Sequence, residues 1–135
     1  EWVKKNYAQN GFNEVTVAPY FFEMADYFQK SDLIISRAGA TTIAELIASQ
    51  KASLLIPFSQ ATDNHQYFNA RELEKIRGAE IILEKEFTPE IFADKIFSYL
   101  QNKDKITLME KNLVPLKTEK VSEKISNLCF KLMEA

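Results

Sequence analysis

At 135 residues, 46% hydrophobic and 27% charged with only three glycines and four prolines, the chain has the length of one domain and a globular rather than a disordered or fibrous composition. A formal net charge of −2, with lysines and acids interspersed, offers no basic face for sequence-independent binding of nucleic acid, which is excluded as a partner. One cysteine and one histidine exclude an internal disulfide and leave a zinc site or a Ser-His-Asp triad without local support.

Glu1 to Asn10, with Trp2, Val3 and Tyr7 at helical spacing, reads as an amphipathic helix stopped near Asn10-Gly11. The β-branched run Glu14 to Ala18 predicts a strand that Pro19 ends, and Phe21 to Lys30 predicts a helix. Leu33 to Ser36 is a short buried strand, followed by a helix to about Ser49, and Ala52 to Phe58 is a second buried strand closed by a polar loop through Asp63. A helix from about Asn64 to Arg77 has Gly78 where a left-handed C-cap is wanted, and Ala79 to Leu83 is the next strand. Thr88-Pro89-Glu90 supplies an N-cap, a first-position proline and an early acid for a helix to about Leu100. Further helices are predicted from Asp104 to Val114, ended by Pro115, and from about Thr118, the last with Val121, Ile125, Leu128 and Leu132 on one face. Cys129 falls in that apolar pattern and reads as a packed thiol, consistent with a reducing compartment.

Strands that are apolar runs alternating with helices indicate a parallel sheet covered on both faces, the Rossmann-like doubly wound α/β class. Ligands of such sheets bind at the carboxyl ends of the strands. The loops after Ala18, Ile35 and Phe58 therefore carry the candidate chemistry. No apolar run approaches the ~18 residues that cross a bilayer, so the chain is expected to be soluble by itself. It opens without Met and inside a helical pattern, and is read as a piece of a longer protein.

In Ser36-Arg37-Ala38-Gly39-Ala40-Thr41-Thr42-Ile43-Ala44-Glu45, Gly39 is expected to supply a conformation other residues resist and to let a ligand approach. Thr41 or Thr42 is expected to begin the helix, whose exposed amides form an anion site suited to diphosphate. Two readings of Glu45 stand side by side. Thr42-Ile43-Ala44-Glu45 matches a capping box; a helix that begins at Thr41 instead aims Glu45 across the crevice, where a carboxylate accepts from two adjacent hydroxyls such as those of ribose. Arg37 reads equally as a sheet-end arginine paired with an acid or as a ligand contact. The second loop opens its helix with Asp63, Asn64, His65 and Gln66, a set suited to sugar hydroxyls, although Asp63 or Asn64 also suits an N-cap. Tyr20 and Phe21 could flank a base or pack in the core.

SDLIISRAGATTIAE, followed about ten residues later by LLIPFSQATDNHQYFNA, resembles the carboxyl-terminal half of the MurG family, and VAPYFFEMADYFQKSD resembles the family's preceding strand, uracil-side loop and helix. These enzymes move N-acetylglucosamine from UDP to an undecaprenyl-linked acceptor, converting lipid I to lipid II in peptidoglycan synthesis. The resemblance implies the incomplete carboxyl-terminal half of a GT-B glycosyltransferase. Residues 1–135 would form a partial UDP-sugar-binding domain, with the acceptor domain and the central strands lying upstream. It implies that Tyr20 and Phe21 lie beside the uracil, the Phe21 backbone pairing with its edge. Ala40, Thr41 and Thr42 would meet the diphosphate, with Arg37 and Gly39 in the same turn, Glu45 the ribose, and His65 and Gln66 the N-acetylglucosamine. His65 departs from the family pattern, in which Gln is frequent, and Asn69 is expected to fix the loop. Inverting transfer without a metal or cofactor is implied, and the polypeptide alone is expected to be inactive, its catalytic groups and membrane contact lying in the other half on the inner face of the cell membrane. A non-catalytic nucleotide-sugar-binding subunit that needs a partner chain and a plain α/β interaction domain are the alternatives.

Overall fold

The computed structural model describes residues 1–117 and 121–133. Its elements are α1 (Trp2–Gln9), α2 (Met24–Lys30), β1 (Ile34–Ser36), α3 (Ala40–Ser49), β2 (Ser53–Leu55), α4 (His65–Lys75), β3 (Ala79–Ile81), α5 (Pro89–Gln101), α6 (Lys103–Leu113) and α7 (Val121–Met133), with single 3-10 turns at Thr62–Asn64, Glu84–Glu86 and Val114–Leu116. The three strands form one parallel sheet in the order β1-β2-β3, Ile34 registering with Ser53 and Ser53 with Ala79. This is the expected α/β class.

Both faces of the sheet are covered. On one side Leu46 of α3 and Ala70 and Leu73 of α4 pack with Phe28, Ile34 and Leu55. On the other, Tyr99 of α5 and Met109 of α6 pack with Ala52, Leu54 and Ile82. Leu54 and Leu55, adjacent on β2 and pointing to opposite faces, are both fully buried, which is why the central strand reads as a continuous apolar run. Each such leucine is worth about 1.5–3 kcal/mol of burial, enough to make the crossover helices the anchor for the loops above the sheet.

One polar tie crosses the second face. Glu80 of β3 meets Lys95 of α5 at 2.7 Å and Lys105 of α6 at 2.5 Å. Burial acts to raise the Glu80 pKa, but the hydrogen bonds from Lys105 and Lys95 outweigh it and hold the carboxylate below its ordinary range. Burial, reinforced by the Glu80 charge, pushes the Tyr99 hydroxyl above the usual phenol range.

Helix ends follow local chemistry. Thr88 Oγ1 accepts from the Ile91 amide at 3.2 Å ahead of Pro89, as predicted. Gly11, at φ 84, closes α1 with the Phe12 amide bonded to the Tyr7 carbonyl. At the end of α4 the left-handed residue is Arg77, φ 58, and not Gly78 as expected. The Arg77 amide bonds to the Glu74 carbonyl and the Gly78 amide to the Leu73 carbonyl, both at 2.8 Å, the two bonds of a Schellman closure. Gly78 has another reason to be small: a Cβ there would lie 2.6 Å from Leu113 Cδ2.

Four further expectations are corrected. Residues 14–18 form no strand; Val15 and Val17 are half-buried in alternation with exposed neighbours, but a strand requires a hydrogen-bonded partner, and among the described residues none pairs with this run. Helix α2 begins at Met24, not Phe21, with Glu23 as its N-cap position. The last helix is described from Val121, Thr118 lying outside the described residues, and Val121, Ile125, Leu128 and Leu132 are exposed rather than packed. Cys129 on that helix is likewise exposed, not buried.

Candidate functional site at the carboxyl ends of the strands

The turn after β1 is resolved by where α3 starts. Gly39 is the N-cap, at φ −65 and ψ 151, and Ala40 is the first helical residue. Thr41 and Thr42 are therefore the second and third positions, and neither begins the helix as expected. Glu45 lies a further turn in, out of reach of the reciprocal geometry of a capping box, and α3 has no side-chain cap. Gly39 has an ordinary extended conformation, so the conformational reason for glycine is withdrawn. The space beside it is open, with Thr42 Oγ1 at 3.9 Å the nearest atom to a would-be Cβ.

The consequence is electrostatic. The Ile43 amide bonds to the Gly39 carbonyl at 2.9 Å, while the amides of Ala40, Thr41 and Thr42 precede the first intrahelical bond and are donors without a helical acceptor. With no acid in the first turn of α3, the positive end of the helix is uncompensated by the chain itself. The Glu45 carboxylate is exposed and has no partner among the described residues. It lines a groove of about 260 Å³ between α2 and α3, formed by Met24, Ala25, Phe28 and Gln29 on one side and by Glu45, Ala48 and Ser49 on the other.

The loop before α2 carries the two candidate aromatics. Tyr20 is exposed, its ring edge-on to Phe22 at 5.0 Å. Phe21 turns its half-buried ring onto Tyr27 at 4.5 Å. Its backbone amide and carbonyl have no backbone partner among the described residues.

The second loop is tied to the first by two side chains. Gln66 Oε1 accepts from the Ala38 amide at 3.3 Å and from the Phe58 amide at 3.0 Å. Asn69 Nδ2 donates to the Ala38 carbonyl at 3.1 Å, so Asn69 fixes the loop as expected. With its oxygen committed, Gln66 has only its amide N–H groups to offer elsewhere. His65 Nδ1 sits 2.7 Å from the Thr62 carbonyl. A carbonyl only accepts, so Nδ1 carries the proton and Nε2 of the neutral ring is an acceptor. Asn64 is the N-cap residue of α4, one of the two positions the sequence allowed, but it and Asp63 both have φ of 52 and the helix has no side-chain cap bond.

Arg37 takes the paired reading. Its Nη1 donates to the carbonyls of Ile56 (3.1 Å) and Pro57 (3.4 Å), its guanidinium lies 5.4 Å from the Phe58 ring centre, and Nη2 meets Glu84 Oε1 at 2.7 Å. Glu84 itself was not foreseen. Its other oxygen accepts from the Ser59 amide at 2.9 Å and the Ser59 hydroxyl at 2.5 Å. The Ser59 hydroxyl and amide, then Arg37, lower the Glu84 pKa from 4.5 to about 2. The only sequence signal for it was the acid that a sheet-end arginine wants. The structure thus ties the turn after β1 to the second loop through Arg37, Ala38, Gln66 and Asn69, which places Gly39 and residues 40–42 next to a bonded turn and His65 next to Gln66, whereas among the described residues Tyr20 and Phe21 bond to neither loop.

Among the described residues no three His, Cys, Asp or Glu side chains gather as a metal site, and no helix is long and apolar enough to cross a membrane.

Comparison with known proteins gives the arrangement its context. Residues 1–128 match the glycosyltransferase family 28 C-terminal domain. The UDP-N-acetylglucosamine–N-acetylmuramyl-(pentapeptide) pyrophosphoryl-undecaprenol N-acetylglucosamine transferase of Myxococcus xanthus is 37% identical over 98% of this chain and 34% of its own length. The transferase of the same name from Lawsonia intracellularis is 43% identical over 81% of this chain and 30% of its own. The crystal structure of Acinetobacter baumannii MurG superposes with a TM-score of 0.80 at 28% identity, covering 92% of this chain and 38% of that one. The chain thus spans about a third of the length of these relatives, and it belongs to the glycosyltransferase family 28 C-terminal domain family, with the Rossmann-like fold of the carboxyl-terminal domain of a GT-B transferase.

Proposed function

We propose that this chain is the donor-binding part of an inverting transferase that takes N-acetylglucosamine from UDP-N-acetylglucosamine and delivers it to an undecaprenyl-linked acceptor, converting lipid I to lipid II. The observation that carries the reading is the pairing of an uncompensated helix end, Ala40 to Thr42, with the uncommitted carboxylate of Glu45 one turn further along the same helix, at the edge of a groove. Phosphates and a ribose are separated in a nucleoside diphosphate in the same sense. The relatives' names, which pair UDP-N-acetylglucosamine with a pyrophosphoryl-undecaprenol acceptor, support the choice of donor and of acceptor class.

In this reading the uracil lies beside Tyr20 and pairs with the free backbone of Phe21, Glu45 accepts from the ribose hydroxyls, and the diphosphate meets the amides and hydroxyls at Ala40, Thr41 and Thr42, with Gly39 allowing close approach. The sugar faces His65 and Gln66 with a defined polarity, Nε2 of His65 accepting from a hydroxyl and the Gln66 amide donating to a sugar oxygen. Arg37 acts from behind, holding the Ile56–Pro57 backbone. As the acceptor hydroxyl attacks the anomeric carbon, negative charge grows on the departing UDP, and a fixed helix end stabilises that charge without reorganising. Acceptor positioning, the general base and contact with the inner face of the cell membrane are assigned to the rest of the complete protein, and the 135 residues alone are expected to bind donor without transferring sugar.

Calorimetric titration with UDP-N-acetylglucosamine tests this. Saturable one-to-one binding, weakened by Thr42→Ala and Glu45→Ala, is expected. A folded chain that gives no heat with this ligand overturns the reading.

A further inference from the structure

Three crossover loops meet at a single carboxylate. Glu84 stands just beyond β3, bonded through Oε1 to Arg37 after β1 and through Oε2 to the amide and hydroxyl of Ser59 after β2. None of these bonds lies inside the core; the Arg37 and Glu84 side chains are 49% and 31% exposed, so their contribution to global stability is that of a surface pair. Their geometric effect is larger. Arg37 grips the Ile56 and Pro57 carbonyls while Glu84 grips Ser59, so the segment leaving β2 is held on both sides of Phe58. From there the chain reaches His65 through the two left-handed residues Asp63 and Asn64. Between Ser59 and His65 the only other side-chain bond to backbone among the described residues is His65 to Thr62, internal to the loop.

We infer that Glu84 is a positioning residue for the donor sugar: by clamping Ser59 and Arg37 it sets where the Ser59–Asn64 loop delivers His65, without itself touching substrate. The inference rests on the donor-binding reading. It assigns a specificity role to the β3–α5 loop, which carries none of the expected site residues. The clamp acts on the sugar side of the site, since the α3 amino terminus is built by its own helix and Gln66, which shares the clamped Phe58, is held as well by Ala38.

The test compares the affinities of the 135-residue chain and its variants for UDP and for UDP-N-acetylglucosamine by calorimetry. For Glu84→Ala, the advantage of the sugar nucleotide over UDP is expected to fall about 3- to 30-fold, with UDP affinity unchanged. Glu84→Gln, which retains an oxygen for the Ser59 amide, is expected to recover part of the advantage, and Ser59→Ala, which retains the amide bond, to lose only part of it. A merely structural role would weaken both ligands together. Wild-type affinity ratios in all three variants, or in Glu84→Gln and Ser59→Ala should Glu84→Ala fail to fold, overturn the inference alone. Wild-type chain that binds neither ligand overturns the donor-binding reading and this inference with it.

Discussion

Replacing Glu45 by alanine separates two roles that its sequence context left equal. Were Glu45 the far half of a capping box, its loss would remove a backbone bond at the start of α3 and cost about 0.5–2 kcal/mol, a fall in melting temperature of roughly 2–8 °C for a domain of this size. The helix, however, starts at Ala40 and has no side-chain cap, and Glu45 is exposed. Exposed substitutions away from special features change stability by no more than about 0.5 kcal/mol. The same change should act on ligand. A carboxylate that accepts from ribose hydroxyls contributes hydrogen bonds to a charged group worth about 1.5–3 kcal/mol, which is about a 10- to 150-fold loss in affinity for UDP. Thermal denaturation of the free protein and calorimetry with UDP give the two numbers independently. A melting temperature that drops by several degrees while UDP affinity holds would refute the reasoning from the helix start to the ribose.

Other substitutions report on neighbouring parts of the argument. Gly78→Ala places a methyl 2.6 Å from the fully buried Leu113, and overpacking of this kind should cost about 1–3 kcal/mol in denaturant unfolding while leaving the UDP and UDP-N-acetylglucosamine affinities in their wild-type ratio. Gly39→Ala adds a methyl to an ordinary backbone with nothing nearer than 3.9 Å; stability should fall by no more than about 1 kcal/mol while UDP affinity falls at least severalfold, and unchanged affinity would remove the diphosphate from this turn. The Glu84 pKa, lowered from 4.5 to about 2 by Ser59 and Arg37, sets a window with a definite sign. The ionised clamp contributes fully above pH 4.5 and is lost as pH falls through 2. Wild type should therefore lose stability relative to Glu84→Gln over that range in pH-dependent urea unfolding, and parallel curves would contradict it.

The fold was legible where apolar runs are buried on both sides. Leu54 and Leu55 face opposite layers, so β2 could be read as a buried strand of a parallel sheet before any partner was known. The run at Glu14 to Ala18 has the alternation of a strand, yet strand formation depends on a neighbour that periodicity does not encode. Gly78 was noticed for the right position and the wrong cause: a left-handed cap and a close side-chain approach both select glycine, and only tertiary contact with Leu113 distinguishes them. In the site, Glu45 stood out through its spacing from Thr42, but the capping reading fell on a three-residue shift of the N-cap, from Thr42 to Gly39, finer than propensity resolves. Glu84 was missed because a carboxylate 47 residues from its arginine leaves no local pattern.

The central claim is that UDP-N-acetylglucosamine binds this chain across the carboxyl ends of β1 and β2. Titration followed in nitrogen–proton correlation spectra tests it residue by residue. The amides of Phe21, Ala40, Thr41 and Thr42 should shift together and saturate at one concentration, with UDP reproducing all four and the sugar nucleotide alone adding His65 and the Gln66 side-chain amide. Saturating shifts confined to surfaces away from these loops, such as α1 or α7, or no shifts from any of these groups, would contradict it.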